Sequence, residues 1–174
     1  MAKKYAIAFD LSSSCSAFAF GVDGSLVKYG KWINKNFDKG VSDHGRSLLK
    51  FSSWVSRSIR SCEKPPEVVL IEQPYAGRNK HTYGVLSKFL GVAERETRRL
   101  LPEVEIIMVP PSAVKKALNV PKGKDYKARK RNMVKKINRM LGLNLRYHAS
   151  SKKKSDDDIA DAIGVLYYYF KQEG

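Results

Sequence analysis

The chain has 174 residues, 43% of them hydrophobic and 29% charged, and its formal net charge is +16 at pH 7. This length and composition predict one globular domain over residues 1–174, and no apolar run approaches the roughly 18 residues that a membrane helix needs. The cysteines and histidines lack the spacing of a zinc site. Asp10 interrupts the first apolar stretch, which is too short for a signal peptide, so we expect a cytoplasmic location.

Apolar runs near the N-terminus predict the first strands. The runs are YAIAF, which is followed by Asp10, then CSAFAFGV and LVKYGKWI, and the turn sequence VDGS joins the last two. We expect three consecutive antiparallel strands. The continuously apolar EVVLIE ends at Glu72 and predicts a fourth strand buried on both faces, as in a parallel sheet, and EIIMV predicts a fifth.

Helical periodicity accounts for most of the remaining chain. A first helix has apolar residues at i, i+3, i+7 and i+11 from Leu48 and ends before Pro65, and a second runs from about Tyr83 to Leu101. A short helix begins at Pro111 or Ser112. Together with two longer C-terminal helices, these elements predict an α/β fold in which helices flank a five-stranded mixed sheet.

A long helix is predicted from about Tyr126 to Leu141, and its two faces differ in chemistry. We expect a core-facing apolar side and an outward cationic side. The predicted core residues are Met133, Ile137, Met140 and Leu141, and the predicted cationic ridge consists of Lys127, Arg131, Lys135 and Arg139.

The positive charge is concentrated in this C-terminal part of the chain. Between Lys115 and Lys154 the sequence holds 15 basic residues and one acid, Asp125. Such a concentration favours a polyanion, most simply nucleic acid, because Lys and Arg release the counterions bound to phosphates. The alternative is a solvated basic surface without a partner.

Acidic residues begin the last predicted helix, whose apolar stripe is Ile159, Ile163, Leu166 and Phe170. Capping of the helix N-terminus explains Asp156 or Asp157. Capping explains Asp161 poorly, because this residue lies a turn further in. Asp158 and Asp161 are three residues apart and would point toward one spot on the helix surface. For this pair, helix capping and a functional site are two alternatives that the helix sequence alone leaves open.

Asp10 and Glu72 each follow an apolar strand, and ligand sites favour the carboxyl ends of strands. If the first and fourth strands are neighbours and the last helix packs nearby, these two acids converge with Asp158 and Asp161. Four close carboxylates stay ionised together only if cations lie among them. Oxygen ligands favour Mg²⁺ or Mn²⁺. Two such ions can hold a phosphodiester for hydrolysis to a 5′-phosphate and a 3′-hydroxyl.

The order of the elements, with acids in AFDLSSS, VLIEQPY and DIADAIG, resembles the RNase H-like superfamily and, within it, the RuvC family of Holliday junction resolvases. The resemblance implies a homodimeric, Mg²⁺-dependent endonuclease that nicks opposed strands of a four-way DNA junction. It also implies that Asp10, Glu72, Asp158 and Asp161 are the metal ligands.

The same resemblance implies roles for residues outside the carboxylate set. Tyr75 stands where the family carries an aromatic that contacts the junction, and Lys115 and Lys127 align with basic residues near the scissile phosphate. For Tyr75 the alternative is an ordinary loop aromatic, and for each lysine it is a generic phosphate contact. The candidate DNA-contacting residues are Tyr75, Arg78, Lys80, Lys115, Lys116, Lys122, Lys124, Lys127 and Arg131.

The sequence also departs from the family. Leu11-Ser12 follows Asp10 where the cellular enzymes usually carry Pro-Gly, and the loop QPYAGRNKH is particular to this chain. These departures, with the small size and high basicity, resemble a phage-type relative. Leu86 and Phe89 of the second helix could face a dimer partner or fill the core. A twofold protein suits a symmetric junction.

Two other functions remain open at this level. The stretch FDLSSSCSAFAF also resembles the first phosphate loop of actin-like and sugar-kinase-type ATPases, although the chain is short for that fold and shows no repeat. A non-catalytic, basic DNA-binding module on a nuclease scaffold is the other alternative, and the presence of all four carboxylates favours the nuclease over it.

Overall fold

The computed structural model of the chain describes residues 4–35, 44–74 and 80–173. The strands are β1 (Tyr5–Asp10), β2 (Cys15–Val22), β3 (Ser25–Ile33), β4 (Val68–Glu72) and β5 (Glu105–Val109). The helices are α1 (Gly45–Arg60), α2 (Lys80–Leu100), α3 (Pro111–Ala117), α4 (Tyr126–Leu141) and α5 (Asp157–Glu173).

The five strands form one mixed sheet in the order β3-β2-β1-β4-β5. Strands β1, β2 and β3 are antiparallel neighbours, whereas β4 is parallel to both β1 and β5. The predicted five-stranded α/β fold is therefore confirmed. The β2–β3 hairpin turns through Asp23 and Gly24, both with positive φ, as a two-residue turn between twisted strands requires.

Helices cover both faces of the sheet and create two separate cores. On one face α1 and α2 bury an aromatic cluster that includes Phe51, Trp54 and Phe89. On the other face α3, α4 and α5 bury a mainly aliphatic cluster. Strand β4 supplies Val69 and Ile71 to the first core and Val68 and Leu70 to the second, which explains why its sequence is continuously apolar.

Helix α5 is the most deeply buried helix and contacts β1, β2, α3 and α4. A Cβ at Gly164 would lie 3.2 Å from Met133 Cε and 3.2 Å from Val114 Cγ1, so this glycine lets α3 and α4 pack closely against α5. Every residue from 157 to 166 is buried, a wider face than the predicted apolar stripe.

Two details of the predicted helices differ from the structure. Met140 is 37% exposed rather than in the core, and it borders a shallow cavity that residues of α5 also line. Helix α2 begins at Lys80, three residues earlier than predicted. Phe89 is fully buried within this chain and Leu86 is half-buried, so Phe89 fills the core. In the described part of the chain, no helix is long and apolar enough to cross a bilayer.

Candidate active site

Two of the predicted acidic site residues lie at the same edge of the sheet. Asp10 is the last residue of β1 and Glu72 is the last residue of β4. These strands are parallel neighbours in which Phe9 pairs with Ile71, so both carboxylates emerge at the carboxyl end of adjacent strands. The expectation that the first and fourth strands are neighbours is thus confirmed.

Helix α5 brings the other two acids to the same edge. Asp158 and Asp161 lie on the first turns of α5, which packs directly on β1 and β2, and only 2% and 5% of their surfaces are exposed. Asp10 is 8% exposed and Glu72 is partly buried. We call Asp10, Glu72, Asp158 and Asp161 the carboxylate cluster.

The acids of this cluster perturb one another. Burial, followed by repulsion from Glu72, holds the pKa of Asp10 well above its usual range. Burial and repulsion from Asp161 raise the pKa of Glu72 to about 7, and burial raises the pKa of Asp161. Carboxyl groups that resist ionisation in this way form a site that attracts cations.

Lys130 of α4 supplies one cation to the cluster. Its Nζ pairs with Asp161 and lies 3.4 Å from Asp157 Oδ2 and 3.7 Å from Asp158 Oδ1, and its side chain is 16% exposed. Burial alone would lower the pKa of Lys130, but the charges of Asp161, Asp10 and Asp158 outweigh it and raise that pKa. Lys130 is therefore charged and offsets part of the buried negative charge.

A second layer of contacts surrounds Asp157 and Asp158. Lys152 Nζ lies 3.0 Å from Asp158 Oδ1 and 3.4 Å from Asp157 Oδ2, and Ser155 Oγ donates a hydrogen bond to Asp157. Burial acts to raise the pKa of Asp157, but the Ser155 hydrogen bond and the two lysines outweigh it and leave that pKa lowered. Asp157 is thus an ionised neighbour of the cluster.

Asp156 does not cap α5 through its side chain. One carboxylate oxygen accepts from Lys31 Nζ at 2.9 Å, and the other accepts from the backbone N–H of Arg146 at 3.0 Å. These contacts tie the residue before α5 to β3 and to Arg146, near the start of the segment that connects α4 to α5. Capping is predicted for Asp156 or Asp157. The side-chain oxygens of Asp156 bind these tertiary partners, whereas Asp157 lies in the first turn of α5, where the helix dipole stabilises an acid.

The donor chemistry of the cluster fits a hard divalent cation, since carboxylate oxygens are the ligands that Mg²⁺ and Mn²⁺ prefer. Lys130 already lies among these oxygens as a stand-in cation. Over residues 4–35, 44–74 and 80–173, however, no group of three or more His, Cys, Asp or Glu side chains is arranged to hold a metal ion. A divalent ion bound by Asp158 and Asp161 would take the place of the Lys130 ammonium.

The other predicted site residues fall into three groups. Lys115 on α3 is partly buried, and its positive charge opposes, without overcoming, the rise in the pKa of Glu72 and of Asp161. Tyr75 and Arg78 lie outside the described residues. The remaining predicted DNA contacts are exposed and are not part of the cluster: Lys80, Lys116, Lys122, Lys124, Lys127 and Arg131.

Sequence reasoning missed Lys130, Lys152 and the buried position of Asp157. The signal for Lys130 was available, because it precedes Met133 and Ile137 by three and seven residues and therefore lies on the core-facing side of α4. A lysine in that register needs a buried anion. The sequence offers no comparable signal for Lys152, which lies in an irregular segment.

The order of the strands and the helical layers on both faces of the sheet give the RNase H-like fold, which this chain shares with solved RuvC structures. Among solved structures, Thermus thermophilus RuvC in complex with Holliday junction substrate is similar with a TM-score of 0.67 and 13% identity, over 98% of this chain and 95% of that chain. A second Thermus thermophilus RuvC structure has a TM-score of 0.68 and 14% identity, over 97% and 95% of the two chains.

The yeast mitochondrial Holliday junction resolvase Ydc2 is also similar, with a TM-score of 0.60 and 12% identity over 95% of this chain and 77% of that chain. No protein-family model and no curated protein sequence matches this chain. At these identities the likeness establishes a shared fold.

Proposed function

We propose that the protein is a structure-selective DNA endonuclease that resolves four-way and other branched DNA junctions in recombination and repair. The observation that carries the proposal is the buried carboxylate cluster at the carboxyl ends of β1 and β4, in a chain with the RuvC fold. A buried cluster of acids with mutually raised pKa values is costly, and it is typical of a catalytic or metal site.

In this proposal Asp10, Glu72, Asp158 and Asp161 hold two Mg²⁺ ions, for which Mn²⁺ can substitute. When bound, the ions supply an activated water and stabilise the departing 3′ oxygen, so that the products carry 5′-phosphate and 3′-hydroxyl ends. Lys115 lies beside Glu72 and Asp161, and we assign it to the scissile phosphate. Lys127 is exposed and suits a backbone contact.

The substrate path follows the exposed cations of α3, α4 and the segment between them. Lys116, Lys122, Lys124 and Arg131 are exposed in this region and belong to the segment that carries most of the positive charge. Phosphate contacts of this kind position DNA without reading its sequence. We also include Tyr75 and Arg78, which lie outside the described residues, and Lys80, the first residue of α2, among the DNA contacts.

We further propose a homodimer, because paired nicks on opposed strands need two active sites related by a twofold axis. The protein would act in the cytoplasm of a bacterium or of a phage-infected host cell, where it meets branched DNA. The fold and the charge distribution support action on DNA.

A direct test compares four-way, three-way, flap and linear duplex DNA as substrates with Mg²⁺. We expect cleavage of branched DNA, and strongest cleavage of the four-way junction. Equal cleavage of linear duplex would exclude structure selectivity. Binding to junctions without cleavage of any substrate would support the second candidate, a non-catalytic DNA-binding module. The specific observation that favours it is that Lys130 already pairs with Asp161 and neutralises part of the carboxylate cluster.

A further inference from the structure

A second cationic surface lies on the other helical layer. Between α1 and α2 is a shallow cavity of about 600 Å³. Its lining includes Arg57, Arg60, Arg95 and Arg99, and we call these four residues the arginine groove. The helices that carry the groove pack on the sheet face opposite to α3, α4 and α5, so the groove is separate from the cationic ridge of α4.

Hydrogen-bonded polar side chains form the floor of the arginine groove. Glu96 is 4% exposed and accepts hydrogen bonds from Ser56 Oγ at 2.7 Å and from Arg99 Nη2 at 2.7 Å. The hydrogen bond from Ser56, followed by that from Arg99, lowers the pKa of Glu96 to about 2. Arg99 also donates to Ser56 Oγ at 3.0 Å, so the network joins α1 to α2 and fixes one guanidinium.

The remaining cations of the groove lack acidic partners. Glu96 pairs with Arg99, whereas Arg57, Arg60 and Arg95 are exposed and form no ion pair within the described part of the chain. Like charges held together on two rigid helices repel, and a polyanion relieves that repulsion. An anion that contacts the groove therefore gains from several guanidinium groups at once.

The composition of the groove indicates phosphate as its ligand. All the cations that line it are arginines, whereas most of the basic residues between Lys115 and Lys154 are lysines. The planar guanidinium binds two phosphate oxygens at once, which a lysine ammonium does not. Serines also line the cavity, and their hydroxyls can donate to phosphate oxygens. A basic surface that contacts only solvent needs neither arginine in place of lysine nor serine hydroxyls beside it.

We propose that the arginine groove binds backbone phosphates of an arm of the branched DNA that the protein acts on. This inference rests on the proposed function for the identity of the substrate. Short duplexes are stiff, with a persistence length of about 150 bp. Contacts on opposite layers of the fold therefore suit a substrate whose arms leave in different directions better than a straight duplex.

The test replaces one arginine of each helix, Arg57→Gln together with Arg95→Gln, which leaves the Ser56–Glu96–Arg99 network in place. The matched control is Lys64→Gln with Lys171→Gln, which removes the same charge from two exposed lysines that lie outside the groove and outside the proposed substrate path. Four-way junction and linear duplex binding are measured in EDTA over a range of salt concentrations, so cleavage is not needed for the readout.

We expect the arginine variant to bind the junction roughly tenfold more weakly and to lower the slope of log affinity against log salt by about 2, one unit for each lost phosphate contact. The control should lose much less, and the effect on linear duplex should be smaller than on the junction. Junction binding equal to that of the control would overturn the inference, whether or not the wild-type protein cleaves DNA.

A compact anion is the other source of phosphate groups. Sodium tripolyphosphate is the probe, and the shift it causes in the midpoint of thermal unfolding is compared between wild type and the arginine variant. If tripolyphosphate stabilises only the wild type while junction affinity is the same in both proteins, the groove binds a small polyphosphate and the DNA assignment is overturned.

Discussion

The contact between Lys130 and the carboxylate cluster should stabilise the folded protein, and replacement of Lys130 should therefore destabilise it. Lys130→Met keeps the apolar stem and removes the ammonium that pairs with Asp161 and lies within 3.7 Å of Asp158. Removing one partner of a buried ion pair costs about 3–5 kcal/mol because it leaves a buried charge uncompensated. Lys115 and Lys152 remain nearby, so we expect about 3 kcal/mol at pH 8 without metal ions.

The assay is thermal unfolding in EDTA. For a domain of this size, 1 kcal/mol corresponds to about 2–4 °C, so the midpoint should fall by about 6–12 °C. The control is Lys127→Met on the exposed side of the same helix, which should change stability by less than about 0.5 kcal/mol. The destabilisation by Lys130→Met should be smaller at pH 5.5 than at pH 8, because protonation of the carboxyl groups removes the charge that Lys130 offsets.

Metal ions provide an independent readout. Lys130 and a divalent ion would compete for the same oxygens, so millimolar Mn²⁺ should raise the unfolding midpoint of Lys130→Met more than that of wild type. If Lys130→Met is no less stable than Lys127→Met at pH 8, the ion pair does not stabilise the fold as reasoned. An equal response to Mn²⁺ in wild type and Lys130→Met would refute the shared site.

Three further predictions concern the cluster and the substrate. Glu72→Gln and Asp161→Asn should each abolish cleavage while junction binding is retained in a gel-shift assay. In EDTA, wild-type stability should decrease as pH rises from about 4.5 to about 7, because the pKa of Glu72 is raised to about 7 and the folded state binds more protons than the unfolded state over that range. Sedimentation should return twice the chain mass of 19.7 kDa.

Each of these three predictions would be contradicted by a specific result. Turnover by both carboxylate variants would remove the metal-site proposal, and loss of junction binding would show that the acids act in folding or binding instead. Stability that rises between pH 4.5 and 7 in EDTA would mean that other groups dominate the linkage. A monomer in the presence of junction DNA would contradict paired nicking by a dimer.

Much of the fold follows from local patterns in the sequence. The alternation of apolar runs, the Asp23-Gly24 turn and the helical spacing of Phe51, Val55 and Ile59 predict elements that the structure contains. These patterns are local because backbone hydrogen bonding and burial of one face act over a few residues. Asp10 and Glu72 could be recognised for the same reason, since each follows an apolar strand directly.

The sequence by itself determined which residues are acidic, which surfaces are cationic and where the strands end. Only the tertiary structure decided that β4 lies beside β1, that α5 brings Asp158 and Asp161 to the edge of those strands, and that Lys130 enters the cluster. The contacts join residues far apart in the chain, and the charged neighbours that affect the pKa of Glu72 lie on three other elements, α3, α4 and α5. Electrostatic interactions depend on distance through space and on burial, and neither quantity can be obtained from the order of residues alone.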